Sequence, residues 1–192
     1  MMISIAEARK AVQNGGIIVY PTDTVWGMGC DPFNRNAVKK LFEIKGKKED
    51  GLSIMLSDAK MIENYCEVSQ VADKIISEFL PGPVTLILRS KRNFAMGVAR
   101  DGNIAVRVPA NRTALELAEK QPIVTTSANI HGNEIASSLE EATQIFGLQC
   151  SYLDGEEPRG IESTIIDLTK KKPEIKRIGA LYSSILEGII EF

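Results

Sequence analysis

The chain reads as an α/β protein: a single domain over residues 1–192, built on a twisted mixed sheet of parallel and antiparallel strands flanked by helices. Three observations predict this class. Short runs rich in β-branched residues recur at 17–19, 52–56, 84–89, 104–108, 123–126, 164–166 and 175–177. Runs of that length, bounded by Gly, Pro and Asn, are strands. Between them lie segments with apolar residues at helical spacing. No internal repeat or low-complexity linker divides the chain, and 192 residues, 44% of them hydrophobic, suffice for one sizeable core.

Taken in order, Ser4 and Glu7 have capping-box spacing, and Ile5, Ala8 and Val12 mark a first helix that Gly15-Gly16 closes. The strand at 17–19 runs into Tyr20-Pro21-Thr22-Asp23-Thr24-Val25-Trp26-Gly27-Met28-Gly29. A strand tip so rich in kinks and hydroxyls faces a ligand. Asn36 is placed to cap a helix carrying Val38, Leu41 and Phe42 on one face. Gly51 separates it from the strand at 52–56. Helices follow at 58–65 and 71–79, the second with Val71, Ile75 and Phe79 on one face, and Pro81-Gly82-Pro83 stops it. Strands at 84–89 and 104–108 flank a polar, Gly-containing stretch, 89–103, that reads as a mobile loop. A helix at 113–120, a strand at 123–126 and a helix at 138–146, with Ser138 and Glu141 at capping-box spacing, come next. Late strands at 152–153, 164–166 and 175–177 precede a C-terminal helix at 181–190.

Composition excludes several kinds of chemistry. The net charge is −2, so any contact with a polyanion must come from a local basic patch. Two lysine groups qualify, one at Lys39, Lys40, Lys45, Lys47 and Lys48 and one at Lys170, Lys171, Lys172, Lys176 and Arg177; each reads equally well as a solvated face. Three separated cysteines without a CxxC pair argue against a disulfide framework and a structural zinc site. The sole histidine, His131, makes a serine triad or a histidine metal site improbable. The absence of a leader and of a long apolar run points to the cytoplasm and away from membranes.

Polar residues gather at several strand tips: Pro21-Thr22-Asp23-Thr24, Arg107-Val108-Pro109, Thr125-Thr126-Ser127-Ala128-Asn129 and Glu162-Ser163-Thr164, with Lys45-Gly46-Lys47 between the first two. Open α/β sheets bind ligands outside strand ends. An inventory of Lys, Arg, hydroxyls and an Asn suits phosphate stabilisation better than covalent catalysis. Each residue has a plainer reading. Lys45 and Lys47 fit a turn after the helix, as surface lysines or as a triphosphate grip. Asn129 fits a left-handed turn position, and the 22–24 segment a turn closed by its own side chains. Arg107, inside an apolar strand, needs either a structural carboxylate or an anionic ligand, the ligand being slightly favoured. Trp26 and Met28 read as core.

The ordered set is more specific. Pro21-Thr22-Asp23-Thr24-Val25-Trp26-Gly27, Lys45-Gly46-Lys47, Pro81-Gly82-Pro83-Val84-Thr85, Arg107-Val108-Pro109, Thr126-Ser127-Ala128-Asn129 and Ser163-Thr164-Ile165-Ile166-Asp167 resemble the YrdC-like family, best known for threonylcarbamoyl-AMP synthases. The resemblance covers 17–179, and the length is similar to the short, single-domain form. It implies a nucleotidyltransferase that converts ATP, bicarbonate and L-threonine to threonylcarbamoyl-AMP and pyrophosphate, with Mg²⁺. The product would pass to a separate transferase that modifies tRNA. It also implies a concave basic face that binds double-stranded RNA or tRNA in several relatives. A weakly catalytic RNA-binding paralogue is the alternative. A carbamoyl-processing module of the hydrogenase-maturation kind is a further one, although that kind belongs to a much longer chain.

The family tetrad of Lys, Arg, Ser and Asn falls on Lys45, Lys47, Ser127 and Asn129. Lys47 stands where Arg is usual, replacing a planar fork by a point charge. The resemblance gives Lys45 and Lys47 the catalytic role. It sets Thr22, Thr24 and Ser127 near threonine, and Lys45, Lys47, Thr125, Asn129, Ser163 and Arg177 near the nucleotide. Arg107 and Pro109 support the pocket, and no side chain is assigned to a metal.

Overall fold

A computed structural model describes residues 2–47 and 51–181. Alternation along its strands builds two apolar cores on opposite faces of one nine-stranded sheet. The strands are β1 (Ile18–Tyr20), β2 (Gly27–Gly29), β3 (Ser53–Met55), β4 (Val84–Arg89), β5 (Asn103–Arg107), β6 (Ile123–Ser127), β7 (Ser151–Tyr152), β8 (Thr164–Asp167) and β9 (Glu174–Arg177). Their order is β7-β1-β2-β6-β3-β5-β4-β8-β9. The β1/β7, β3/β5 and β4/β8 pairs are parallel and the other five antiparallel, so the sheet is mixed as expected.

The helices are α1 (Ile5–Gln13), α2 (Arg35–Lys45), α3 (Ile62–Tyr65), α4 (Gln70–Phe79), α5 (Arg112–Leu117) and α6 (Leu139–Phe146). Residues from α2, α4 and α6 pack with Val19, Met28, Ile54, Leu86, Val106 and Val124 in the larger core. On each of three strands the residue adjacent to one of these turns the other way. Tyr20, Met55 and Ile123 meet Ala8 and Val12 of α1 and Ala114 and Leu117 of α5 in the smaller core. Helices α1 and α5 cover only part of this second face. On the same face, two residues back from Met55 and Arg107 and two on from Ile123, lie Ser53, Ala105 and Thr125, all half-exposed. That open remainder of the sheet is where the polar side chains collect.

Several local expectations change. Asn34, not Asn36, caps α2: its Oδ1 accepts the Asn36 and Ala37 amides at 3.1 Å each. Strand β2 is unforeseen, because two of its three residues are glycine. A Cβ on Gly29 would sit 1.7 Å from the Val124 carbonyl oxygen of β6, so the close strand approach needs a bare Cα. Segment 58–65 splits into a 3₁₀ turn, Ala59–Met61, and the single turn α3. On α4 the buried residues are Ala72, Ile75 and Ile76, while Val71 is exposed. The stretch 89–103 is anchored: Phe94 stacks on Phe33 and on Tyr65, and Ala95 and Val98 are buried. Of the C-terminal helix expected at 181–190, residues 182–190 lie outside the described residues. Cys30, Cys66 and Cys150 are buried and unpaired.

Candidate active site

Helix α2 ends at Lys45, and Gly46 caps it in the left-handed region at φ 61. Lys45 therefore belongs to the last helical turn rather than to the turn that follows. Its side chain is 3% exposed and reaches the end of β6. Lys45 Nζ donates to Ser127 O at 2.6 Å, to Asn129 O at 3.0 Å and to Asn129 Oδ1 at 3.0 Å, using all three ammonium hydrogens. Ser127 Oγ donates to the same Asn129 Oδ1 at 2.7 Å, and Asn129 Nδ2 donates to Asn133 O at 2.8 Å. The His131 amide closes the tie by donating to Lys45 O at 2.7 Å. Asn129 does not have a positive φ, so its place follows from its amide and not from left-handed backbone. Burial and the nearby Lys47 charge push the Lys45 ammonium down to about 8, against the opposing pull of Glu162.

Beside this cluster the open sheet face forms a hollow of about 300 Å³. Thr22 and Thr24 line it from the β1–β2 connection, Ser53 from β3, Thr85 from β4, Arg107 from β5, Thr125, Thr126 and Ser127 from β6, and Glu162, Ser163 and Arg177 from the β8 and β9 side; Lys47 closes one edge. Lys45, Asn129 and Pro109 are not among the lining residues. Lys45 and Asn129 brace the wall from behind, and Pro109 is buried beyond the end of β5.

Arg107 has a carboxylate partner after all. Its Nη2 donates to Asp23 Oδ1 at 2.6 Å, both side chains 9% exposed, and its Nη1 donates to Thr24 Oγ1 at 2.7 Å. Burial pushes the guanidinium down and Asp23 pulls it back. The 22–25 segment is also a self-closed turn. Thr22 Oγ1 accepts the Thr24 and Val25 amides and donates to Val25 O at 2.7 Å. The hydroxyls of Thr22 and Thr24 also lie 3.0 Å apart, within hydrogen-bond distance. At the far wall Arg177 Nε donates to Ser163 O at 3.0 Å, Nη2 to Ser163 Oγ at 3.2 Å and Nη1 to Glu162 Oε1 at 2.5 Å. Ser163 Oγ and Thr85 Oγ1 share a 2.8 Å bond.

The residue-level reading missed Ser53 and gave Thr126 and Glu162 no role. The signal for Ser53 was a hydroxyl within an apolar strand; for Glu162 it was its place in an otherwise hydroxyl-rich tip. Part of the second lysine group is neutralised in place: Lys170 pairs with Glu174, and Lys176 lies 2.7 Å from Glu174 and 4.0 Å from Asp167. Among the described residues no group of three or more His, Cys, Asp or Glu could hold a metal ion. A cation could be held in the hollow only with ligands that a substrate brings. No helix among the described residues is long and apolar enough to cross a membrane.

A mixed sheet with a polar hollow on its half-covered face, walled by lysine, arginine and hydroxyl groups from eight separate segments, defines an α/β protein of the YrdC type. The chain belongs to the Sua5/YciO/YrdC family, whose model, described as "Telomere recombination", matches residues 10–179. It is 35% identical over 187 residues to the threonylcarbamoyl-AMP synthase of Pyrococcus abyssi, 93% of this chain and 55% of that protein. It is 39% identical over 162 residues to the threonylcarbamoyl-AMP synthase of Idiomarina loihiensis, 80% of this chain and 87% of that protein. The crystal structure of P. abyssi Sua5 complexed with L-threonine superposes with a TM-score of 0.90 at 33% identity, covering 99% of this chain and 59% of that one. The chain thus spans little more than half the length of the P. abyssi relative.

Proposed function

We propose that the hollow holds ATP beside L-threonine and that the protein is a threonylcarbamoyl-AMP synthase acting in tRNA modification. The observation that carries this reading is the Lys45 ammonium. It draws Ser127 and Asn129, 82 and 84 positions away, to one corner of a cation-lined hollow. Relatives bearing that name at 35–39% identity support it.

The chemistry follows from charge. The threonine amine and bicarbonate condense to a carbamate with loss of water. A carbamate oxygen attacks the α-phosphorus, the bond to the β-phosphate oxygen breaks, and pyrophosphate leaves. Negative charge grows on the phosphates, so Lys47 and Arg177 stabilise the transition state from the hollow, and buried Lys45 does so through the wall. Ser163, Thr125 and Ser127 offer hydroxyls that orient the two substrates, while Arg107 and Asp23 hold Thr24 in place. Positioning rather than acid–base exchange is the main contribution. A divalent cation arriving with the phosphates would supply further charge neutralisation. The product is a reactive adenylate, so a separate tRNA-modifying enzyme must consume it, in the cytoplasm where charged and uncharged tRNA circulate. Direct RNA binding by the lysines is not needed for this step.

The test is an assay of purified protein with ATP, bicarbonate and each amino acid in turn. Pyrophosphate should appear only when both bicarbonate and L-threonine are present. Lys47→Ala should lower kcat/KM by roughly 10- to 100-fold, the worth of one charge-assisted contact of about 1.5–3 kcal/mol. Release independent of threonine, or none with any amino acid, would overturn the reading.

A further inference from the structure

We propose that Glu162 is the protein's contact for the divalent cation that accompanies the triphosphate, an inference that rests on the nucleotide reading of the hollow. Among the described residues lining the hollow, Glu162 is the only acid, beside Lys47, Arg107 and Arg177. A carboxylate there repels a bare triphosphate, so its presence in an anion site needs a reason. Holding Arg177 is an insufficient one. Two bonds to Ser163 already fix that guanidinium, from Nε at 3.0 Å and from Nη2 at 3.2 Å. The Glu162–Arg177 pair joins side chains 42% and 37% exposed, where an ion pair contributes little. A bridging cation turns the repulsion into attraction.

The chemistry of the donor set fits magnesium. Mg²⁺ keeps several waters and binds through one or two carboxylates together with substrate phosphates, not in a cage made of protein alone. The described residues contain no such cage and place one carboxylate on the wall of the phosphate-binding hollow. Glu162 can give the metal one oxygen while Arg177 keeps the other, so the pair sets the distance between the cation and the guanidinium that share the phosphate chain.

Calorimetric titration of ATP into wild type and Glu162→Gln, with saturating Mg²⁺ and with EDTA, separates the alternatives without turnover. Glutamine keeps the shape and the hydrogen bond to Arg177 but loses the charge. The metal-bound nucleotide should bind Glu162→Gln roughly tenfold more weakly, while the metal-free nucleotide binds as well or better. Glu162→Asp should restore part of the Mg²⁺ dependence. Equal weakening of both forms would make Glu162 a positioner of Arg177, and equal strengthening would make it mere repulsion; either overturns the proposal. Failure of wild type to bind ATP under both conditions would instead remove the nucleotide reading itself.

Discussion

At the scale of single residues, Lys45 is a tightly constrained charge. Its ammonium is buried, saturated by three oxygens and depressed to about 8 from an ordinary value of 10.5. Between about pH 8 and 10.5 the unfolded chain keeps a proton that the folded chain gives up. This group's contribution to stability is therefore poorest below pH 8 and improves as pH rises through that window. A polyanionic ligand has the opposite demand, because it favours the charged form. ATP affinity should accordingly fall as pH rises from 7.5 to 9.5, and Lys45→Arg, charged throughout, should flatten the profile; titrations at a series of pH values check this. Legibility at this scale was uneven. Arg107 announced itself as a charge in an apolar strand, but its partner Asp23 lies 84 positions away on another strand's tip. Sequence marks which buried charge needs a partner, and only the fold says which partner it meets.

At the scale of elements, the connection between β1 and β6 depends on β2. Gly29 has no room for a Cβ against the Val124 carbonyl, which is backbone and cannot rotate away. Gly29→Ala should therefore force β2 off β6 and cost upwards of about 3 kcal/mol, the range of severe overpacking. Gly46→Ala faces open space except a 3.9 Å contact with Ile130 and carries only the left-handed backbone penalty, about 1 kcal/mol. Urea unfolding of the two variants gives the ordering. The same glycines explain why β2 was illegible: a Gly-Met-Gly strand has no β-branched residue and no alternation to read. The strands with such residues, β4, β5 and β6, were legible to within a residue or two at each end. Helix boundaries depended on caps, and two asparagines two positions apart left the choice between Asn34 and Asn36 to geometry.

At the scale of the whole molecule, the hollow exists only when the sheet is complete. Its lining comes from the β1–β2 connection, β3, β4, β5, β6 and the β8–β9 pair, so no fragment carries it. Nothing in the chain's order announces that β6 lies between β2 and β3 or that β8 sits beside β4, because strand order is set by non-local packing. What the sequence did announce was the ordered family motifs, five of which lie at strand ends and one, Lys45-Gly46-Lys47, at the end of α2, all gathered around the hollow. Ligand binding must therefore stabilise the entire fold. ATP at about one hundred times its dissociation constant should add about 2.7 kcal/mol, raising the melting temperature by several degrees. Thermal scans with ATP, with GTP and without nucleotide check both the size and the selectivity of that shift.

Burial of the three cysteines has a consequence for how the protein meets oxidants. The thiolate is the form of sulfur that attacks oxidants and alkylating agents. Burial pushes Cys30 and Cys66 up to about 12 and Cys150 up to about 11, leaving almost none of that form at neutral pH. The native molecule is thus chemically quiet at sulfur, and the pace at which an alkylating agent labels it keeps time with the opening of its sheet.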